Sequence, residues 1–363
     1  MGLDALYYRI ISPRRKFYHV PLHLLFRVVS IVYRFGLRLN RLAYGGGIFP
    51  TRCLPGRVIS VGNLTLGGTG KTPMVLMIAG ILRDNGLKPA VLSRGYGGNS
   101  QEKINVVCDG QQILLSAEVA GDEPVMIAER LKNIPVLTGK DRWLTGNYAM
   151  QHFGVDTLIL DDGFQHLALS RDLNILLLDH KEPLGNGHLF PAGELREPVE
   201  ESQRADLICL TRCSGNENSC SQGDMLGFPN NIPVIKTALR LESLIRLDNH
   251  ETIDAEFLRD QPVAAFCGIA KPGDFRDTLE TAKARVVFFR AFPDHHRYVA
   301  DDLKTLEQEA MKAGARYILV SEKDSVKIDP SDFSLPVLKV IIEVEILEGQ
   351  EVFTKLLLKE TFS

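Results

Sequence analysis

The segment Gly62-Asn63-Leu64-Thr65-Leu66-Gly67-Gly68-Thr69-Gly70-Lys71-Thr72 constrains this chain more than any other. A short apolar run, Arg57-Val58-Ile59-Ser60-Val61, enters it, and an apolar stretch of helical length, 74–82, follows it. Strand, glycine loop and helix in that order are the context in which a phosphate-loop pattern carries meaning. Gly67, Gly68, Thr69 and Gly70 let backbone N–H groups turn inward around phosphate oxygens, Lys71 is placed to neutralise the β- and γ-oxygens, and the Thr72 hydroxyl is placed to reach Mg²⁺. The pattern G-x-x-x-x-G-K-T asks for glycine where this chain has Thr65. A glycine-rich turn with an incidental lysine is the bland alternative, and the density of glycine from 67 to 70 argues against it.

A nucleoside triphosphate site also needs acids on the metal side. Thr157-Leu158-Ile159-Leu160-Asp161-Asp162 supplies them: an apolar strand ending in two carboxylates, which a doubly wound sheet sets beside the phosphate loop. One aspartate after a strand is common in an acidic turn. Two, followed directly by Gly163-Phe164-Gln165-His166, point to a role at Mg²⁺ or its water.

The same alternation runs through much of the chain. Apolar runs at 58–61, 89–92, 134–137, 157–160, 175–178 and 207–210 are interleaved with helical patterns at 74–82, 124–131 and 142–153. This predicts an α/β fold, a doubly wound and mostly parallel sheet carrying the phosphate loop. The Gly-, Ser- and Asn-rich stretch 214–231 reads as a loop or boundary, and 234–247 as strand or linker. Alternating elements resume at 263–267 and continue through a helix near 275–281, a strand at 286–289, a helix at 301–313 and a strand at 317–320. The expected organisation is a leading helical segment, 1–47, a nucleotide-binding domain, 48–232, and a smaller α/β domain, 233–363, that closes over the active site.

Charge is unevenly distributed. Residues 1–44 hold eight basic side chains against the single acid Asp4, in a chain whose net charge is −3. Residues 21–42 read as one helix with proline at its start and Gly45-Gly46-Gly47 past its end. His23, Arg27, Ser30, Arg34, Arg38 and Arg41 fall in one narrow sector and apolar residues cover the rest. The longest run without a charge or histidine is 28–33, far short of the roughly 20 apolar residues of a simple span. The helix therefore reads either as a core helix with an arginine-lined outer face or as a basic amphipathic helix on an anionic membrane surface, where each base contributes about 1 kcal/mol.

Other classes are disfavoured. The six cysteines include no Cys-x-x-Cys pair, and no signal peptide precedes them, which points to a reducing compartment rather than a disulfide framework. Cys209, Cys213 and Cys220 are irregularly spaced and lack a suitably placed histidine for zinc. Aromatic residues do not interleave with the N-terminal arginines in a stacking pattern, which argues against a single-stranded nucleic-acid groove.

Taken in order, these motifs resemble one family, the tetraacyldisaccharide 4'-kinases of lipid A biosynthesis. The resemblance covers nearly the whole chain: the loop through Pro73, where Thr65 fits the family's own pattern, then Ser93-Arg94-Gly95-Tyr96-Gly97-Gly98, Gly121-Asp122-Glu123-Pro124, Asp161-Asp162-Gly163-Phe164-Gln165-His166, Pro191-Ala192-Gly193-Glu194-Leu195-Arg196-Glu197-Pro198, Phe292-Pro293-Asp294-His295-His296 and Ser321-Glu322-Lys323-Asp324. It implies transfer of the γ-phosphoryl group of ATP to the 4'-hydroxyl of a lipid substrate, tetraacyldisaccharide 1-phosphate, giving lipid IVA at the cytoplasmic face of the inner membrane, with the protein bound peripherally.

The resemblance also implies roles. Asp122 becomes the base that takes the hydroxyl proton, although its place before a helix equally suits an N-cap. His295 becomes its partner, with His296 the neighbour it is confused with. Asp161, Asp162, Gln165, His166 and Glu197 become the metal and triphosphate shell. Arg94, Arg142 and Arg196 suit phosphate clamps, since a guanidinium grips such oxygens bidentately, but equally suit surface ion pairs. The competing reading is a membrane-docked phosphate-loop ATPase of the partitioning type, which hydrolyses ATP and needs no acceptor-side base.

Overall fold

The computed structural model describes residues 3–12, 15–213, 228–229 and 231–358; most of the expected boundary loop at 214–231, Cys220 included, lies outside them. The strands in chain order are β1 (Arg57–Asn63), β2 (Pro89–Ser93), β3 (Asn105–Cys108), β4 (Val136–Thr138), β5 (Thr157–Asp161), β6 (Leu173–Asp179), β7 (Leu207–Thr211), β8 (Val234–Arg246), β9 (Thr252–Asp254), β10 (Pro262–Cys267), β11 (Arg285–Ala291), β12 (Tyr317–Ser321) and β13 (Val337–Glu348). All belong to one sheet, ordered β11-β10-β12-β13-β8-β7-β6-β1-β5-β2-β4-β3, with β9 on the side of β8.

The apolar runs are buried on both faces because helices cover both, as a parallel sheet requires. β1 pairs in parallel with β5 on one side and β6 on the other. The connections diverge there, and ligands in such sheets bind beyond the carboxyl ends of the strands at that point. The phosphate loop leaves β1 at this position and opens α3 (Lys71–Asp84), whose Met74, Val75, Ile78, Ala79 and Leu82 pack into the main core.

Two parallel sets of strands meet through an antiparallel pair. β8 runs parallel to β7 but antiparallel to the long β13, which runs parallel to β12. β12 and β11 flank β10, all parallel, and carry α7 (Pro272–Thr281) and α8 (Ala300–Lys312). The β7, β8 and β13 register ties the nucleotide-side strands to the C-terminal ones by continuous backbone hydrogen bonding.

The N-terminal helix, Val20–Gly45, corrects the sequence reading in two ways. Its polar row faces the protein: His23 is buried, Arg27 Nη2 lies 2.7 Å from His188 Nε2, Ser30 Oγ donates to the Leu189 carbonyl at 3.0 Å, and Tyr33 donates to the Arg196 carbonyl at 2.8 Å. Arg34 pairs with Glu200 and Arg41 with Glu201. The apolar side is the outer one, with Leu24, Leu25, Val28, Ile31, Val32, Phe35, Leu39 and Leu42 each at least half exposed. An amphipathic pattern fixes that two faces differ, not which one meets the protein. The helical stretch Phe17–Gly45 is also long and apolar enough to cross a membrane by length and composition, contrary to the expectation drawn from its interrupting charges.

Candidate active site

The loop after β1 turns at glycines whose backbone angles L residues rarely adopt. Gly67 and Gly70 both have positive φ (97° and 81°), and Gly70 is the N-cap from which Lys71 starts α3. Asn63, buried at the end of β1, braces the turn from inside, donating from Nδ2 to the Thr65 carbonyl at 2.8 Å. From the C-terminal side of β7, Arg212 donates to the Gly68 carbonyl at 2.7 Å and pairs with Asp179 at 2.6 Å. The result is a helix N-terminus whose N–H groups and dipole suit an anion.

Lys71 reaches across this turn. Its Nζ lies 3.2 Å from Asn63 Oδ1 and 3.5 Å from Asp162 Oδ1. Asp162 is gripped by Arg196 at 2.8 and 3.0 Å, and Arg196 also lies 3.3 Å from Gln165 Oε1. Gln165 donates to the Asn63 carbonyl at 2.8 Å and to Glu197 at 3.2 Å, while Arg204 pairs with Glu197 at 2.5 Å. Lys71, Asp162, Gln165, Arg196 and Glu197, expected at one site, therefore form one connected network beside the loop.

The two adjacent aspartates have opposite electrostatics. Asp161 ends β5, is buried, and accepts a hydrogen bond from Ser93 Oγ at 3.2 Å. Burial, with the neighbouring charges of Glu123 and Asp162, pushes its carboxyl up to about 7. Burial acts on Asp162 in the same sense, but Lys71 and Arg196 hold it below the usual carboxylate range. Asp162 has a left-handed backbone (φ 56°) that costs about 1 kcal/mol and turns its side chain from the strand toward the loop.

This donor set suits Mg²⁺. Among the described residues no group of three or more His, Cys, Asp or Glu side chains is arranged to enclose a metal. A hard cation that keeps its waters and is held by one or two carboxylates plus phosphate oxygens asks for no such cage. The buried Asp161 carboxyl, poorly stabilised as an anion, fits such a partner.

His166 and Arg142 lie on the same side but point to packing. Arg142 is buried at the start of α6 (Arg142–Phe153), donates to the Gly139 carbonyl at 2.7 Å, and is lowered to about 10 by burial and by Arg94. His166 is lowered to about 4 by burial and the charges of Arg142 and Arg171, so it is a neutral imidazole near pH 7. Arg94 is exposed on the loop after β2.

On the acceptor side, Gly121 rather than Asp122 takes the N-cap of α5 (Asp122–Arg130), with φ 97°. A Cβ there would stand 2.5 Å from the Tyr96 carbonyl, so the tight approach of the 93–98 loop requires glycine. Asp122 is thus free of capping. His295 Nδ1 lies 3.1 Å from both its carboxylate oxygens, and Lys327 Nζ lies 3.0 Å from Oδ2. Burial alone would raise this carboxyl; the His295 hydrogen bond and the charges of Lys323 and Lys327 hold it well below the usual range. His295, whose backbone is also left-handed (φ 58°), is raised by its bond to Asp122. His296 turns elsewhere, its Nε2 2.9 Å from Asp302.

The sequence motifs identified many of these side chains but not the parts played by Asn63, Asp179, Arg204, Arg212 or Lys327. Asn63 lay within the loop motif and Lys327 three residues beyond Asp324; neither carried a signal apart from its tertiary partner.

Comparison with known proteins places this geometry among relatives. The family model described as tetraacyldisaccharide-1-P 4'-kinase matches residues 22–361. A tetraacyldisaccharide 4'-kinase of Syntrophus aciditrophicus is 44% identical over 352 residues, 93% of each chain. One from Desulfotalea psychrophila is 41% identical over 310 residues, covering 85% of this chain and 88% of the relative. Among solved structures, that of the "apo" form of LpxK from Aquifex aeolicus in complex with ATP superposes with a TM-score of 0.74 at 31% identity, over 93% of this chain and 99% of the other.

Proposed function

This chain belongs to the tetraacyldisaccharide-1-P 4'-kinase family, and from that membership we infer an ATP-dependent phosphotransferase that moves the γ-phosphoryl group to the 4'-hydroxyl of tetraacyldisaccharide 1-phosphate, forming lipid IVA. ATP is the co-substrate, as the ATP complex of the superposing relative supports.

The observation that carries the chemistry is the contact between Asp122 and His295. A loose phosphoryl-transfer transition state asks for alignment, charge neutralisation and a proton acceptor. The N–H groups of the 67–70 turn and the Lys71 ammonium hold the β- and γ-phosphates. Thr72, Asp161 and Asp162 would hold Mg²⁺, with Gln165 and Glu197 bracing them; bound there, the ion neutralises phosphate oxygens. Arg196 orients Asp162. Of Arg94, Arg142 and His166, the exposed Arg94 is the one placed to reach a phosphate oxygen, since Arg142 and His166 are taken up by packing.

Asp122 accepts the 4'-hydroxyl proton as that oxygen bonds to the γ-phosphorus, and the bond from phosphorus to the β–γ bridging oxygen breaks to release ADP. His295 orients the carboxylate and shares the charge change. A hydrolytic switch has no use for this pair, which disfavours the partitioning-type ATPase.

The exposed apolar face of Val20–Gly45 supports a seat on the membrane, at the cytoplasmic face of the inner membrane where a lipid acceptor and cytosolic ATP meet. Phosphorus NMR of the isolated lipid product tests the acceptor. A new phosphate monoester coupled to the 4' proton is the expected result; phosphate on any other position would contradict it.

A further inference from the structure

The 321–324 motif has no part in the chemistry above, yet the short helix it opens, α9 (Glu322–Ser325), packs on α5 directly beside Asp122. Lys327, just beyond it, is partly buried between two carboxylates. Its Nζ lies 3.0 Å from Asp122 Oδ2 and 3.1 Å from Asp324 Oδ1. Asp324 is itself fully buried and fixed, accepting from the Gly268 N–H at 2.8 Å and from Ser321 Oγ at 2.6 Å. The lysine is therefore anchored to the C-terminal strands through Asp324 and holds Asp122, at the start of α5 on the nucleotide side, by one oxygen.

We propose that Lys327 is a positioning residue for the transfer, holding the Asp122 carboxylate by Oδ2 so that Oδ1 is the oxygen presented to the acceptor hydroxyl. This deepens the assignment of Asp122 as base and rests on it.

Two further observations agree. A Cβ on Gly97 would lie 3.9 Å from Asp122 Oδ1 and 3.8 Å from His295 Nδ1, so the missing side chain leaves space on the Oδ1 side. Lys323 Nζ lies 3.2 Å from His295 Nε2, 3.0 Å from Glu123 and 2.9 Å from Asp294. An ammonium can only donate, so in the neutral imidazole Nε2 accepts and Nδ1–H donates to Asp122. Both members of the pair are thus held by a lysine from the segment after β12, one fixing the carboxylate and the other the tautomer.

The charged surroundings of Asp122 are few. His295, Lys323 and Lys327 act on it, with Glu123, Asp294 and Asp324 as the lysines' other partners. On the remaining neighbours, Lys71 of α3 is turned to Asp162, Arg130 at the far end of α5 is taken up by Glu322, and Glu118 lies exposed on the short helix Ala117–Ala120. Removing the Lys327 charge leaves a buried carboxylate with less compensation, so its proton affinity rises.

The test is the pH dependence of kcat/KM and kcat, with the acceptor lipid in detergent micelles, for wild-type protein, Lys327→Met and Lys327→Arg. Lys327→Met should lower kcat at least tenfold and move the acid limb of kcat/KM up by one pH unit or more, while Lys327→Arg keeps the limb near that of the wild type. The limb's position does not depend on how much of a preparation is folded, so a poorly folding variant still reports. Coincident limbs for wild type and Lys327→Met would overturn the proposal whatever the loss of rate, as would a shifted limb with kcat within twofold of wild type. Asp122→Asn run alongside separates the two levels: turnover surviving that change removes the base on which the proposal rests.

Discussion

Asp122 and His295, 173 positions apart in the chain, meet with His295 Nδ1 at 3.1 Å from each carboxylate oxygen. One comes from the start of α5 on the nucleotide side, the other from the loop after β11. The pair exists only when the strands on either side of β8 and β13 are assembled, which couples the acceptor-side chemistry to the fold as a whole.

Replacing Asp122 by Asn keeps the shape and removes the base. Turnover should fall by roughly 10²-fold or more, while ATP affinity, measured by equilibrium binding, stays close to that of wild type because no phosphate-loop residue has changed. Turnover near the wild-type level would remove Asp122 from the role.

The pair also makes stability depend on pH with a definite sign. His295 is raised by Asp122, so its contribution is complete below the unfolded histidine value near 6.5 and is lost as pH rises through the folded value. Asp122 is lowered, so its share is present above the unfolded carboxyl value near 3.9 and is lost only as pH falls below that toward its folded value. His295→Ala should therefore lower the thermal midpoint more at pH 5.5 than at pH 9. An equal loss at both would show that the ion pair is not what the histidine contributes.

Lys71 opens the helix that follows the phosphate turn, with Asn63 and Asp162 as its present partners. Lys71→Met should reduce phosphoryl transfer by about 10²-fold or more, the scale of losing one preorganised charge at a developing anion. The same variant should unfold near the wild-type temperature, since Lys71 caps no helix and fills no core. A fall in stability with unchanged transfer would reverse this reading.

The outer face of the N-terminal helix predicts how the protein meets a bilayer. Burying a large apolar side chain contributes about 1.5–3 kcal/mol, so Val32→Asp combined with Phe35→Asp should weaken flotation with phospholipid vesicles at least tenfold. Arg34→Gln should change it little, because Arg34 faces Glu200. Binding that instead tracks the arginines and disappears with salt would restore the electrostatic picture.

That helix also marks where sequence reading stops. The strand, loop and helix around Lys71, the acids ending β5 and the alternation of the parallel sheet were legible because each is local, a period or a short motif. Which face of Val20–Gly45 meets the protein is not local: it depends on His188, Glu200 and Glu201, far along the chain. The β8 and β13 pairing escaped for the same reason, since a strand's antiparallel partner leaves no mark on its own pattern. At the site, the motifs put Asp122 among the candidates and left its N-cap alternative open; Gly121 decides that, by taking the cap itself. The resemblance assigned His295 with His296 as the neighbour it is confused with, and the fold separates them by turning His296 to Asp302.

The most direct measurement follows labelled γ-phosphate from Mg-ATP in detergent micelles with and without tetraacyldisaccharide 1-phosphate. Label should enter the lipid only when wild-type protein and acceptor are both present, and Asp122→Asn should nearly abolish it. Label released as free phosphate at the same rate with or without lipid would contradict the account and make the protein an ATPase.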